Sequence, residues 1–220
     1  RFVSLRRVPA SETPPGVDLE RLATFFAEHV AGAHGPLRAE LISGGRSNLT
    51  YVVSDDAHEW VLRRPPLGHV LPTAHDMARE HRVIEALAGT DVPVPAAVAF
   101  CADPAVNDAP FYVMEKVDGV ILRSPADLAG LTPDEARRCS EALVDVLVAI
   151  HGVDADAVGL GDFGRPDGYV ERQVRRWGEQ WERSKTRELP EIDELARRLR
   201  AAGPVSPAPT IVHGDYRLRS

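Results

Sequence analysis

The spacing of apolar residues along the first third of the chain predicts one helix followed by three strands. Leu19, Leu22, Phe26 and Val30 recur three or four positions apart, which is the period of a helix with one buried face. Asp18 precedes them as the predicted N-cap, and two glycines end the helix. Three short runs rich in apolar and β-branched residues come next and are predicted to be strands: 37–43, 49–54 and 60–64.

A second helix is predicted from about Ala74 to Ala88, and it carries a carboxylate on its apolar face. Glu80 lies at helical spacing from Met77 and Leu87, so all three belong to one stripe. A buried carboxylate needs a cation or a hydrogen-bond donor close by. Arg63, at the end of the third predicted strand, is the best candidate. We therefore expect an ion pair between sheet and helix.

The chain changes from strands to helices at a short connector. Two further strands are predicted at Ala97–Cys101 and Phe111–Glu115, separated by a turn-rich insert, and the connector Lys116–Gly119 follows them. We place a domain boundary here. Residues 1–116 form an N-terminal lobe built on a sheet with a leading helix, and residues 117–220 form a mainly helical second part. The predicted fold class is therefore α+β.

Three helices are predicted in the second part. Thr132-Pro133-Asp134-Glu135 is a capping box with proline at the first helical position, and it opens the first of them. Apolar residues at helical spacing follow in three groups, which we expect to be core or helix-packing surfaces. The groups are Cys139, Leu143, Val146 and Ile150; Val170, Val174, Trp177 and Trp181; and Ile192, Leu195 and Leu199.

Composition and charge limit the classes of partner. The 220 residues carry a net charge of −7, whereas nucleic acid and anionic membranes require a basic face. No apolar run is long enough to cross a bilayer, and the N-terminal residues lack the apolar core of a signal peptide. Cys101 and Cys139 lack metal-ligand spacing, so we expect reduced thiols in a cytoplasmic protein. Since the chain begins with Arg1, we expect it to be a fragment of a longer one.

The last stretch of the chain holds the first candidate for chemistry. The apolar residues Ile211 and Val212 predict a buried strand that leads into the turn His213-Gly214-Asp215. A carboxylate at Asp215 can accept the proton of a substrate hydroxyl, and Arg217 can face a transferring phosphoryl group. The alternative is a turn that merely ends a strand, for which the same residues are suitable. His213 is more typical of a residue that braces the loop by hydrogen bonding.

Three motifs, in this order along the chain, resemble those of a known group of enzymes. They are Gly44-Gly45-Arg46-Ser47-Asn48, Val61-Leu62-Arg63-Arg64-Pro65-Pro66 and His213-Gly214-Asp215-Tyr216-Arg217-Leu218. Together they resemble the aminoglycoside phosphotransferase and choline kinase group of small-molecule kinases, and most of all the kinase domains associated with acyl-CoA dehydrogenases. The resemblance extends from about residue 37 to 218. It implies a protein-kinase-like fold of two lobes, of which the second is truncated here.

The resemblance implies that the N-terminal lobe binds ATP. The turn from Gly44 to Asn48 would cover the nucleotide phosphates, although an ordinary hairpin turn is the alternative for these residues alone. Arg63 would take the place of the strand lysine that binds the α- and β-phosphates, and Glu80 would orient it. An ordinary ion pair is the alternative there, and both roles can hold at once. The adenine would be met by backbone groups of three consecutive residues: Glu115, Lys116 and Val117.

The same resemblance implies a catalytic role for Asp215, as the base or as the carboxylate that orients the substrate, with Arg217 steadying the phosphoryl group. Two positions depart from the family. Ser220 stands where the family has a magnesium-binding asparagine, and Arg219 stands where the closest relatives carry aspartate. A second metal-binding aspartate of the family has no counterpart in these residues. We therefore assign no metal ligand, and we expect the 220 residues alone to bind nucleotide weakly without turnover.

Two functions of different classes follow. The first is an ATP- and Mg²⁺-dependent kinase acting on a hydroxyl of a small molecule. A hydroxyacyl-CoA or hydroxy acid is the implied acceptor, aminoglycosides and other alcohols are alternatives, and a functional link to an acyl-CoA dehydrogenase is implied. The second is a truncated, non-catalytic module that binds a nucleotide or a partner. A metallophosphoesterase ranks last, because the histidines other than His213 are scattered without ligand spacing.

Overall fold

The computed structural model describes residues 13–43, 48–68, 76–120, 125–203 and 208–218. Clustering of contacts divides the chain into two compact units. The first unit comprises residues 1–146 together with 217–220, and the second unit comprises residues 147–216. The domain boundary predicted after residue 116 stays a prediction.

The first unit is built on a five-stranded antiparallel sheet, and all five predicted strands are present. The strands pair in the order β1-β2-β3-β5-β4. β1 begins one residue later than predicted, and β3 begins one residue earlier. In the register of the sheet Arg63 lies opposite Thr50 on one side and Tyr112 on the other. The strands are β1 Arg38–Ser43, β2 Leu49–Ser54, β3 Glu59–Arg64, β4 Ala97–Cys101 and β5 Phe111–Glu115.

The first helix, α1 (Leu19–His29), covers one face of this sheet. Asp18 is its N-cap, as predicted, and accepts a hydrogen bond from the backbone N–H of Arg21 at 3.1 Å. Phe26 of α1 packs edge-on against Trp60 of the sheet, with ring centroids 5.4 Å apart. The apolar residues of α1 and of this sheet face pack together as the main core of the described chain. Their burial removes large apolar side chains from water, which stabilises the fold.

The segment that precedes α1 is fixed to the same face by two buried side chains. The Tyr51 hydroxyl donates to the Pro15 carbonyl at 2.6 Å. The Arg64 guanidinium donates to the carbonyls of Gly16 and Asn107, and burial lowers the pKa of Arg64 from its usual value. Gly16 has a φ of +86°, and a Cβ there would lie 2.9 Å from the hydroxyl of the buried Tyr51. Glycine is therefore favoured both by the backbone conformation and by this close approach.

The second helix, α2 (Met77–Leu87), packs against β4 and β5. Its N-cap is Asp76, which accepts from the backbone N–H of Arg79 at 2.9 Å. Two residues of the predicted helix, 74 and 75, lie outside the described residues, and the helix begins at Met77. The sheet thus lies between two helices, and a side chain of β3 faces one helix or the other according to its position in the strand.

Shorter elements follow the sheet. The insert predicted as turns contains a one-turn helix, α3 (Pro104–Asn107), because Asp103 caps the backbone N–H of Ala105 at 2.8 Å. A second short helix, α4 (Pro125–Leu128), was not predicted. The capping box is confirmed at the start of α5 (Pro133–Gly152): Thr132 and Glu135 exchange backbone hydrogen bonds with each other's side chains, at 2.8 and 3.3 Å.

The second unit contains the end of α5 and the helices α6 (Tyr169–Ser184) and α7 (Pro190–Ala202). The Trp181 indole N–H of α6 donates to Asp193 of α7 at 3.1 Å. The prediction that every apolar stripe is a packing surface is wrong for part of these helices, since Trp177 is 59% exposed and Leu195 is also exposed. An apolar stripe on a helix is buried only where another element covers it.

Two sequence expectations concern thiols and membranes. Cys101 and Cys139 are both free, and Cys101 is buried whereas Cys139 is half-buried. Within the described part of the chain, none of the helices combines the length and the apolar composition that crossing a bilayer requires.

Candidate active site

The structure contains the predicted pair between sheet and helix. Arg63 Nη2 lies 3.4 Å from Glu80 Oε2, and both side chains are half-buried. Successive residues of a strand point to opposite faces, so Arg63 reaches α2 whereas its neighbour Arg64 reaches the side of α1. Arg63 Nε is buried and has no hydrogen-bond partner among the described residues. The guanidinium therefore keeps at least one donor that Glu80 does not use.

Glu80 has two further partners that the sequence pattern does not predict. The Asn48 side-chain amide donates to Glu80 Oε1 at 2.6 Å, and the Tyr112 hydroxyl donates to Glu80 Oε2 at 3.1 Å. Burial raises the pKa of Tyr112 above its usual range; the Glu80 carboxylate adds to this rise, and the positive charge of Arg63 opposes it. Tyr112 was missed because its position opposite Arg63 depends on the pairing of β3 with β5. No pattern among neighbouring residues of the sequence predicts that pairing of strands.

The turn predicted to cover the phosphates lies mostly outside the described residues. Gly44, Gly45, Arg46 and Ser47 are not described, and Asn48 is. The strands on either side, β1 and β2, pair antiparallel, so the turn joins neighbouring strands as predicted. The contact of Asn48 with a nucleotide stays a prediction, and its side-chain amide is engaged with Glu80.

The connector after β5 is held by side chains of the first unit. Glu115 exchanges hydrogen bonds with Ala96: the Glu115 N–H donates to the Ala96 carbonyl at 2.9 Å, and the Glu115 carboxylate accepts from the Ala96 N–H at 3.2 Å. Lys116 Nζ lies 2.5 Å from Asp118 and 3.0 Å from Glu59, and these partners raise the pKa of Lys116. Because the Glu115 N–H is occupied, a contact with adenine would use other backbone groups, such as those of the exposed Val117.

The His213-Gly214-Asp215 stretch forms an exposed turn in the second unit. Gly214 has a φ of +85°, which glycine adopts without strain. The Asp215 N–H donates to His213 Nδ1 at 3.4 Å, and the ring of His213 packs edge-on against Tyr216, with centroids 5.5 Å apart. His213 therefore braces the turn, as predicted. Asp215 and Arg217 are both exposed.

The prediction of a buried strand before this turn is wrong. Residues 210–212 adopt no strand, and Val212 is 69% exposed. A strand exists only when its backbone groups pair with a neighbour, and none of the described strands pairs with this stretch. The stretch is fixed instead by the Thr210 hydroxyl, which donates to the His151 carbonyl at 2.5 Å.

The described residues do not supply a ligand set for a divalent cation. Nowhere in the described ranges do three or more His, Cys, Asp or Glu side chains form a group that could hold a metal ion. Ser220, at the expected metal position, and its neighbour Arg219 lie outside those ranges.

Comparison with known proteins gives consistent matches. The sequence profile described as "Phosphotransferase enzyme family" matches residues 38–220. The mouse protein named acyl-CoA dehydrogenase family member 10 is 36% identical over 195 residues, which cover 88% of this chain and 18% of the mouse protein. The chain thus spans about a fifth of the length of that curated relative.

Two solved structures are similar in three dimensions. A crystal structure described as an aminoglycoside phosphotransferase of Ralstonia eutropha JMP134 matches with a TM-score of 0.78 and 38% identity, covering 92% of this chain and 59% of that one. The GDP complex of aminoglycoside 2′-phosphotransferase-IIIa matches with a TM-score of 0.58 and 19% identity, over 83% of this chain and 58% of that one. These matches confirm the predicted α+β class and the protein-kinase-like fold.

Proposed function

Since the chain belongs to the phosphotransferase enzyme family, we propose that it transfers the γ-phosphoryl group of ATP to a hydroxyl of a small molecule. One observation carries the proposal for this chain in particular. Arg63 of β3 is paired with Glu80 of α2, and Glu80 in turn binds Asn48 at the end of the turn predicted to cover the phosphates. A cation held beside such a turn is the arrangement that phosphoryl transfer requires for binding a nucleotide.

Arg63 would bind the nucleotide phosphates. A guanidinium is always charged, and it offers several donors in a planar fork that suits phosphate oxygens. Its buried Nε, which has no partner among the described residues, is a donor that a phosphate oxygen would satisfy. When bound, ATP supplies the phosphoryl group, and its negatively charged phosphate oxygens would accept a hydrogen bond from this donor. Glu80 would keep the guanidinium oriented toward the nucleotide.

Asp215 would act on the acceptor. Its carboxylate lies in an exposed turn that is braced by His213, so it is accessible to a substrate hydroxyl. There it would accept the hydroxyl proton or orient the hydroxyl for attack, and Arg217 would steady the charge of the transferred group. These roles are carried over from the family and rest on the motif His213 to Leu218.

The proposed acceptor is a hydroxyacyl-CoA or a hydroxy acid. The support is the similarity to a protein named as an acyl-CoA dehydrogenase family member, and for the same reason we propose a functional link to an acyl-CoA dehydrogenase. Phosphorylation would turn a poor leaving group, a hydroxyl, into a better one on a substrate of that class. Aminoglycosides and other alcohols belong in the same screen, because the family includes kinases that act on them.

The test is phosphoryl transfer by the purified full-length protein, with Mg²⁺-ATP and a panel of hydroxyacyl-CoA, hydroxy acid, aminoglycoside and amino-alcohol acceptors. Phosphorylated products are detected by mass spectrometry. Asp215→Asn should lower turnover about 10²- to 10⁴-fold, as loss of a general base does. Asp167→Asn is the matched control, since Asp167 is an exposed carboxylate of the same unit, and its turnover should be unchanged.

Each other result has a distinct meaning. Near-normal turnover of Asp215→Asn would remove Asp215 from the mechanism. ATP binding without turnover of any acceptor would favour the non-catalytic module. A protein that binds no ATP would contradict the proposed function as a whole.

A further inference from the structure

We propose that Asn48 and Tyr112 are positioning residues, which hold the Glu80 carboxylate so that Arg63 keeps its donors for the phosphate oxygens of a nucleotide. The inference rests on the proposed function, because it concerns the same nucleotide site. It assigns neither side chain a contact with the transferred group. Both act through Glu80.

The two oxygens of Glu80 are each engaged by a neutral donor. Asn48 approaches Oε1 at 2.6 Å from the start of β2, and Tyr112 approaches Oε2 at 3.1 Å from β5. An ionised carboxylate only accepts hydrogen bonds, so the amide nitrogen of Asn48 is the group that faces it. Asn48 is 8% exposed and Tyr112 is 2% exposed. Hydrogen bonds to a charged group in such a site are stronger than in water.

Arg63 is held less closely than either neutral donor. Its Nη2 lies 3.4 Å from Glu80 Oε2, which is longer than both of the other contacts. Its Nε is buried and has no partner among the described residues. A buried guanidinium N–H without a partner is unfavourable, and an anion placed beside it would remove that penalty. The position of Arg63 on the same sheet face as Tyr112 follows from the register of β3 and β5.

The neutral donors explain why Arg63 is not drawn into a two-pronged pair with Glu80. A carboxylate without other donors attracts both forks of a guanidinium, because two parallel hydrogen bonds are the favoured geometry of that pair. Asn48 donates to one Glu80 oxygen and Tyr112 to the other, so Arg63 would have to share both oxygens with another donor to form such a pair. Glu80 therefore orients Arg63 by its charge, while the guanidinium keeps N–H donors for the phosphate oxygens. Asn48 is the first described residue after positions 44–47, and its contact with Glu80 fixes it to α2.

Tyr112→Phe and Asn48→Ala test the proposal by ATP titration calorimetry on the purified protein, with Mg²⁺ present. Each variant should raise the Kd for ATP about tenfold, because Glu80 then takes up donors of Arg63. Tyr112→Phe keeps the buried ring and removes only the hydroxyl, so it keeps the test valid if Asn48→Ala does not fold. Where turnover is measurable, KM for ATP should rise by the same factor while kcat stays within about twofold.

Tyr51→Phe is the matched control. It removes a buried hydroxyl that also makes a hydrogen bond, to Pro15 at 2.6 Å, but Tyr51 belongs to the core on the α1 side of the sheet. The stability of this variant should fall as that of Tyr112→Phe does. Its Kd for ATP should equal that of the unchanged protein.

The double variants decide whether the two residues act through Glu80. Glu80→Gln alone should weaken ATP binding. Adding either Tyr112→Phe or Asn48→Ala to Glu80→Gln should then change the Kd by less than about twofold, because without the Glu80 charge neither donor affects Arg63. Effects that simply multiply would mean independent actions and would overturn the proposal.

The remaining outcomes separate this inference from the proposed function. If Tyr112→Phe and Asn48→Ala lower stability but leave the Kd for ATP unchanged, the two residues serve only packing, and the inference fails while the function stands. If the unchanged protein binds no ATP, the proposed function fails, and this inference fails with it.

Discussion

Arg63 and Arg64 are consecutive in the chain, yet they serve opposite sides of the sheet. Arg64 donates to the carbonyls of Gly16 and Asn107 and fixes the leading segment. Arg63 faces α2 and pairs with Glu80. The alternation of side chains along β3 separates the two positions, so Arg64 fixes the leading segment while Arg63 faces α2, where we propose that it binds a nucleotide.

The surroundings of Asp55 in the folded protein strongly favour its charged form. Its carboxylate is buried and accepts three backbone N–H groups, from His34, Ala57 and His58, at 2.6 to 2.9 Å. The His34 N–H is the largest cause, and together these donors hold the pKa of Asp55 well below its usual range. The imidazole of His58 also lies near, with Nδ1 at 3.5 Å from Oδ1.

We expect Asp55→Asn to destabilise the protein near neutral pH, because an amide NH₂ would face one of these N–H donors. The folded pKa of Asp55 is depressed, so its contribution is present above the unfolded carboxyl pKa of about 4 and is lost as the pH falls through the folded pKa. The difference in unfolding free energy between the two proteins should therefore shrink from pH 7 to pH 3 in urea titrations. The neighbouring Asp56→Asn, at an exposed ion pair with Arg38, should have little effect at any pH.

At the scale of elements, the ends of the helices obey local rules. α1 begins after Asp18, α2 after Asp76 and α5 after Thr132, and in each case a side chain accepts a backbone N–H of the first turn. Such contacts involve residues three apart, so the sequence alone determines them. The one-turn α3 also begins after a capping side chain, since Asp103 accepts from the N–H of Ala105 two residues on, and it was missed because a four-residue helix has no apolar period.

Thr132→Ala should cost about 0.5–2 kcal/mol of stability, as the loss of an N-cap hydroxyl does. The variant leaves Glu135 without the hydroxyl that binds it at 2.7 Å. Ser140→Ala on the same helix is the control: the Ser140 hydroxyl donates back to the Ala136 carbonyl at 2.8 Å, a contact that does not stabilise a helix. Thermal unfolding followed by circular dichroism compares the two. An equal loss for both would contradict the capping role.

At the scale of the whole chain, the buried residues are distributed unevenly between the two units. The core of α1 and the sheet lies in the first unit. In the second unit Ile150 and Leu160 are the described hydrophobic residues that reach full burial, and neither α6 nor α7 contains a buried residue. Burial of apolar surface is the main source of local stability.

Hydrogen exchange should reflect this difference. We expect backbone amides of α6 and α7 to exchange at least about 100-fold faster than those of α1, which corresponds to about 3 kcal/mol in opening free energy. α1 is the suitable comparison because it is also a helix, with Leu22, Phe25 and Phe26 buried. Peptide-level mass spectrometry, corrected for intrinsic rates, gives the measurement. Equal protection of the three helices would show that burial within each unit does not govern its local stability.

The sequence by itself determined the features that depend on neighbours in the chain. The five strands, the cap of α1 and the capping box of α5 follow from side-chain period and from contacts three residues apart. The pair of Arg63 and Glu80 could also be predicted, because a carboxylate on an apolar helix face requires a cation. The three motifs, taken together, identified the family.

Only the tertiary structure decided the rest. Tyr112 reaches Glu80 because β5 pairs with β3 across a separation of about fifty residues, and that register is set by the whole sheet. Val212 is exposed, although its run is apolar, because none of the described strands offers it a partner. Trp177 is likewise apolar at helical spacing and exposed. A pattern of apolar residues indicates which side chains could be buried. Whether they are buried depends on which elements pack against them in the folded protein.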